Sequence, residues 1–112
     1  MEIDQLMDLV KKLESKKKGK KEELEKLQKL FERFHLLNRK YLDKEVFEKA
    51  LGSMSSMAEA IANTMKFLDD EIAHFRSKRV KQAFENMELN EMQKVHAKNE
   101  LLLKEYLAGY RE

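Results

Sequence analysis

The sequence predicts an all-α fold: a long antiparallel helical hairpin of coiled-coil type, followed by a shorter C-terminal helix and completed into a larger bundle by oligomerisation. Three observations predict it. Proline is absent, glycine occurs only three times in 112 residues, and Leu, Lys, Glu, Met and Ala dominate, a composition that favours helix and offers little strand or turn chemistry. An apolar stripe of Phe47, Leu51, Met54, Ala58, Ile61, Met65, Leu68, Ile72 and Phe75 alternates steps of four and three without a miss, the seven-residue repeat of a helix packed along a seam. The same repeat runs through Ile3, Leu6, Val10 and Leu13 and again through Leu24, Leu27, Phe31 and Phe34.

The first helix is expected over 3–37. Its weak point is KKLESKKKGKKEE at 11–23, where the apolar spacing goes silent. Extending the register through this interval places Lys17 and Lys20 on the seam, where their methylene stems can cover apolar surface, and then lands on Leu24. Gly19 costs roughly 1 kcal/mol relative to Ala in a helix interior, so 15–21 is the one candidate hinge within an otherwise single domain spanning 1–112. A turn is expected at 38–43, with Asp43 capping a second helix and Glu45 in its first turn. That helix is expected to run unbroken from 44 to at least 76. A break at Gly52, with a restart on the Ser56–Glu59 capping box, is the rival reading, disfavoured because the stripe continues across 51, 54 and 58. Two antiparallel rods of roughly 50 Å would result, by the rise of 1.5 Å per residue. Beyond Phe75 the register slips; Asn86 to Asn90 reads as a turn, and a last helix over 91–108 carries Met92, Val95, Leu102, Leu103, Tyr106 and Leu107. His96 and Asn99 fall along its stripe, and a polar seam residue such as Asn99 can fix register.

Composition narrows function more than any motif does. Charged residues make up 39% of the chain, but 23 basic against 21 acidic side chains leave a formal charge of +2, so any electrostatic partner must meet a local patch. Lys16, Lys17, Lys18, Lys20 and Lys21, with Arg76, Lys78 and Arg79, are the candidate polyanion contacts. They are interspersed with glutamates and lack the aromatic and amide residues that read bases. With no cysteine, disulfides, thiol nucleophiles and zinc–thiolate sites are excluded. No apolar run approaches a membrane span, and the acidic start, interrupted by Asp4 and Asp8, is unlike a signal peptide; a soluble cytoplasmic protein is expected.

Two Glu-x-x-His pairs, Glu32 with His35 and Glu71 with His74, have the spacing used by ferritin-like di-metal carboxylate proteins. Their neighbours Phe31, Phe34, Ile72 and Phe75 hold the seam and rotate both pairs off the core, so a solvated face is the simpler reading, and no cofactor is implied. Ser53, Ser55 and Ser56 cluster without a histidine and acid placed to activate them, and enzyme activity is not expected. The expectation is a helical module that pairs with itself, first as a two-fold dimer, and presents a surface to another protein or, as the alternative, to nucleic acid. Phe47, Leu51, Met54, Ile61, Met65, Leu68, Ile72 and Phe75 are its expected seam toward a partner. Phe31, Phe34, Leu37, Tyr41, Phe84 and the seven methionines offer more large side chains than a short three-helix core can bury.

Overall fold

The computed structural model describes residue 8 and residues 20–78 and 82–109, and every element among them is helical: α1 (Lys20–Leu37), α2 (Lys44–Ala50), α3 (Met54–Ser77) and α4 (Ala83–Ala108). The expected continuity of the first helix through 11–19, and the hinge at Gly19, lie outside the described residues. Helix α1 ends where Asn38 turns the chain, its carbonyl accepting from the amides of Tyr41 (2.9 Å) and Leu42 (2.7 Å). Asp43 caps α2 as expected, its carboxylate accepting from the Glu45 amide at 3.4 Å.

The uninterrupted helix from 44 to 76 is corrected. The chain breaks at Leu51–Ser53, because Gly52 takes φ 88°, the left-handed region that only glycine enters without strain, and so ends α2 as a C-terminal cap residue. Ser53, rather than Ser56, restarts the helix, its hydroxyl accepting from the Ser56 amide at 3.3 Å. Seven residues cannot hold a helix alone in water. What holds α2 is Phe47, whose ring stacks on His35 (centroids 4.1 Å) and packs on Phe31 (5.0 Å), residues one turn apart on α1. So α2 folds back along α1, and the chain then reverses again into α3.

That reversal also corrects the two-rod hairpin. Arg33 meets Glu105, Asn38 meets Asn99 and Lys40 meets Glu88 and Glu91, so α1 and α4 are antiparallel. Asp69 meets His96 and Arg76 meets Gln93, so α3 and α4 are antiparallel too. Helices α1 and α3 therefore run in the same direction, and the antiparallel hairpin is α3–α4. The expected turn at 86–90 is absent: α4 is continuous from Ala83, because Leu89 packs against the buried cluster of Leu68, Ile72 and Met92, and that packing outweighs the modest helix penalty of the two asparagines. At 26 residues, or about 39 Å, α4 is the longest helix among the described residues.

The core contains Leu27, Leu30, Phe31 and Phe34 of α1, Met57, Ile61 and Met65 of α3, and Leu102 and Leu103 of α4. Two asparagines lie fully inside it. Asn38 donates through Nδ2 to Asn99 Oδ1 (2.7 Å) and Asn99 Nδ2 donates back to Asn38 Oδ1 (2.9 Å), while Asn38 Nδ2 also reaches the Phe34 carbonyl (2.8 Å). This reciprocal pair locks α4 to the end of α1, and it gives Asn99 the register-fixing position expected of it.

Candidate interaction surface

The residues expected to form a seam toward a partner are mostly inside the chain's own core. Met54, Ile61, Met65, Leu68 and Ile72 are buried, and Phe47 and Phe75 are half-buried against the two core clusters. Leu51 falls in the break after α2 and is 38% exposed. These side chains are covered by α1, α2 and α4, so a free apolar surface has to be sought elsewhere. Phe31 and Phe34 are also fully buried, whereas Phe84 stays out.

Among the described residues exposed large apolar side chains occur on every helix, Val46 on α2 and Phe67 on α3 included, but the two most exposed lie on α4. Phe84 is 73% exposed, Met87 71% and Leu101 59%, and Leu36 on α1 is 59% exposed. On α4 these residues belong to one stripe: 84, 87, 91, 94, 98 and 101 follow the same three-and-four spacing as the core seam, and all six are solvent-exposed. The stripe mixes chemistry, reading Phe, Met, Glu, Lys, Lys, Leu. Only the structure separates it from the core, because Leu101, Leu102 and Leu103 are consecutive in sequence, yet the second and third are buried and the first is not.

Beside the start of the stripe is an open concavity of about 540 Å³ lined by Phe84, Met87, Glu88, Glu91, Lys94 and, from across the groove, Lys40. Lys40 Nζ sits 3.1 Å from both Glu88 Oε2 and Glu91 Oε2. Its hydrogen bonds to Glu91, then to Glu88, raise its pKa above the ordinary lysine value. Tyr41 next to it is held against Phe67 (centroids 6.3 Å) with its hydroxyl buried and unpartnered. Burial first, and the negative charge of Glu91 second, push that phenol up. His96 is bracketed by carboxylates, with Nε2 2.5 Å from Asp69 Oδ1 and Nδ1 3.3 Å from Glu100 Oε1. It ties α3 to α4.

A second groove of about 230 Å³ runs between α1 and the end of α4, with Leu30 and Leu102 at its floor and Lys26, Lys29 and Arg33 along one edge. Arg33 Nη2 is 3.4 Å from Glu105 Oε2, and Lys26 lies 4.0 Å from Glu23, so its positive edge is already partly answered by acids of the same chain.

Of the expected polyanion contacts, those among the described residues are not brought together. Lys21 is exposed at the start of α1, while Arg76 and Lys78 are exposed at the end of α3; with α1 and α3 running in the same direction, these lie at opposite ends of the bundle. Lys16, Lys17, Lys18 and Arg79 lie outside the described residues, as does the side chain of Lys20. The two Glu-x-x-His pairs stay apart as well. His35 is stacked on Phe47, Glu32 faces solvent and His74 is exposed beside Phe75. Among the described residues no group of three or more His, Asp or Glu side chains converges as a metal site would require. Ser53 serves as a cap, and Ser55 and Ser56 are exposed. No helix among the described residues is long and apolar enough to cross a membrane. No family model matches the chain, and neither a curated protein nor a solved structure matches it.

Proposed function

We propose that this protein is a non-enzymatic helical module that associates with itself and offers a surface to another macromolecule. The observation that carries the reading is the exposure of Phe84 and Met87, 73% and 71% in the isolated chain, on a helix whose opposite face is fully employed in the core. Isolated apolar side chains on a surface mean little. Here two large ones stand a single turn apart beside a concavity, with Leu101 further along the same stripe, and rimmed apolar patches of that kind mark contact sites. Another protein, rather than nucleic acid, is the favoured further partner, because the surface carries glutamates as well as lysines and would repel a phosphate backbone as much as attract it.

Light scattering coupled to gel filtration tests this reading over a concentration series reaching on the order of 1 mM, where even weak specific pairs are populated. The weight-average mass is expected to rise above the 13.4 kDa of one chain. A mass that stays at the monomer value across the series rejects self-association.

A further inference from the structure

We infer that a second copy of this chain docks antiparallel on the exposed stripe of α4, about a two-fold axis level with residues 92 and 93. This rests on the self-association proposed above and specifies its geometry. In an antiparallel pair of helices with a seven-residue repeat, each layer joins one position of the stripe to a different position of the partner, and two-fold symmetry makes every such contact occur twice. The spacing of 84, 87, 91, 94, 98 and 101 reads the same in both directions, so the stripe can be laid on its own reversed image. Phe84 then meets the partner's Leu101, Met87 lies along the methylene stem of the partner's Lys98, and Glu91 meets the partner's Lys94. All six positions are exposed, and the overlap spans about 26 Å of helix.

The chemistry selects this register over its neighbour. Moving one step along, to the symmetric set 87–105, puts Lys94 against the partner's Lys98, Glu91 against the partner's Leu101 and Met87 against the partner's Glu105, so two like-charge layers replace two attractive ones. The favoured register closes both ends with apolar pairs and its centre with opposite charges. Glu91 can serve both roles: Lys40 of the same chain takes Oε2 at 3.1 Å, and a carboxylate has further acceptor sites for a second ammonium. Lys94 has no ion pair within its own chain among the described residues, so its charge is free for the partner. One helix face of this length buries less than the roughly 1,600 Å² of a standard interface, and the dimer belongs to the weak, reversible class.

Sedimentation equilibrium of three variants tests the inference, with far-UV circular dichroism and melting as the check on fold. Lys94→Glu turns both central layers repulsive and is expected to weaken dimerisation by about tenfold or more. Glu91→Lys is expected to do the same. The double variant Glu91→Lys/Lys94→Glu restores opposite charges and is expected to recover most of the wild-type affinity. Because the chain has no cysteine, Met87→Cys/Lys98→Cys supplies an independent readout, and mild oxidation should give a disulfide-linked dimer. If the wild type dimerises but Lys94→Glu dimerises equally well and the cysteine variant stays monomeric, this register is overturned while self-association stands. If the wild type is monomeric throughout, both fall.

Discussion

The buried Asn38–Asn99 pair gives the sharpest test of how the bundle is held. Replacing Asn99 with Ala removes both reciprocal amide bonds, at 2.7 and 2.9 Å, and strands Asn38 Oδ1 inside the core, while Asn38 Nδ2 keeps the Phe34 carbonyl at 2.8 Å. Two net hydrogen bonds of about 1 kcal/mol each and an orphaned buried acceptor put the cost at roughly 2–4 kcal/mol. Asn38→Ala should cost at least as much, since Asn99 then loses both of its side-chain hydrogen bonds. The double Ala variant should cost less than the sum, with a coupling of about 1–3 kcal/mol, because the second substitution removes the group that the first one orphaned. Asn38→Leu/Asn99→Leu, which replaces both amides by apolar groups, should be near neutral or stabilising, at the expense of a uniquely specified register. Urea denaturation followed by circular dichroism measures all four; a loss of about 3 kcal/mol should lower the midpoint by roughly 1–3 M. Strict additivity of the two single substitutions, or single losses below about 0.5 kcal/mol, would refute the reasoning that the pair acts as one buried unit.

Four further outcomes are expected. Gly52→Ala should cost about 1 kcal/mol or slightly more from the backbone alone, because a Cβ there meets nothing within 4 Å but φ is 88°; a thermal melt shows it, and an unchanged melting temperature would contradict the left-handed cap. Tyr41→Phe deletes a buried hydroxyl without a partner and should be neutral or stabilising by up to about 1 kcal/mol. In the parent chain the raised phenol pKa of Tyr41 and the raised ammonium pKa of Lys40 both mean that the unfolded state releases its proton first. Stability is therefore greatest below the ordinary values near 10 and falls as pH climbs through the folded ones, Lys40 losing its pairing with the two glutamates and Tyr41 gaining the cost of a buried anion. Absorbance titration of the three tyrosines should show one phenol lagging, and the lag should vanish in Tyr41→Phe. Phe84→Ser/Met87→Ser should leave the stability of the isolated chain within about 0.5 kcal/mol, as surface changes do; a large loss in dilute solution would mean that these side chains are buried after all.

The helical class was legible in the sequence, while the arrangement of the helices was not, and the same physics explains both. The helical class, the Asp43 cap and the polar register residue Asn99 follow from local chemistry, which does not depend on what packs against what. The break at Gly52 is visible in the sequence but outweighed there, because α3 restarts in phase with α2: Leu51 occupies a stripe position in the sequence, yet in the fold it sits between the two helices and turns outward. The turn expected at 86–90 rested on the preferences of two asparagines, and tertiary contacts of Leu89 and Met92 overrode them. The hairpin failed for a deeper reason. A seven-residue stripe reports that a helix is packed, not which helix packs it, so Met54 to Ile72 read equally well as a seam toward a second rod or as the centre of a three-helix core. The α4 stripe was missed for a related cause. Its six positions contain three apolar and three charged residues, so no hydrophobic periodicity announces them, and three consecutive leucines hide which one faces out.

The self-associating surface is tested most directly by an amide ¹H–¹⁵N spectrum of the chain recorded through a dilution series. Shifts that change with concentration are expected to gather on α4 between Phe84 and Leu101 and on Lys40 beside it, while Ile61, Met65 and Leu68 stay still. Movement centred on those three core residues, or a spectrum indifferent to concentration, would contradict this reading.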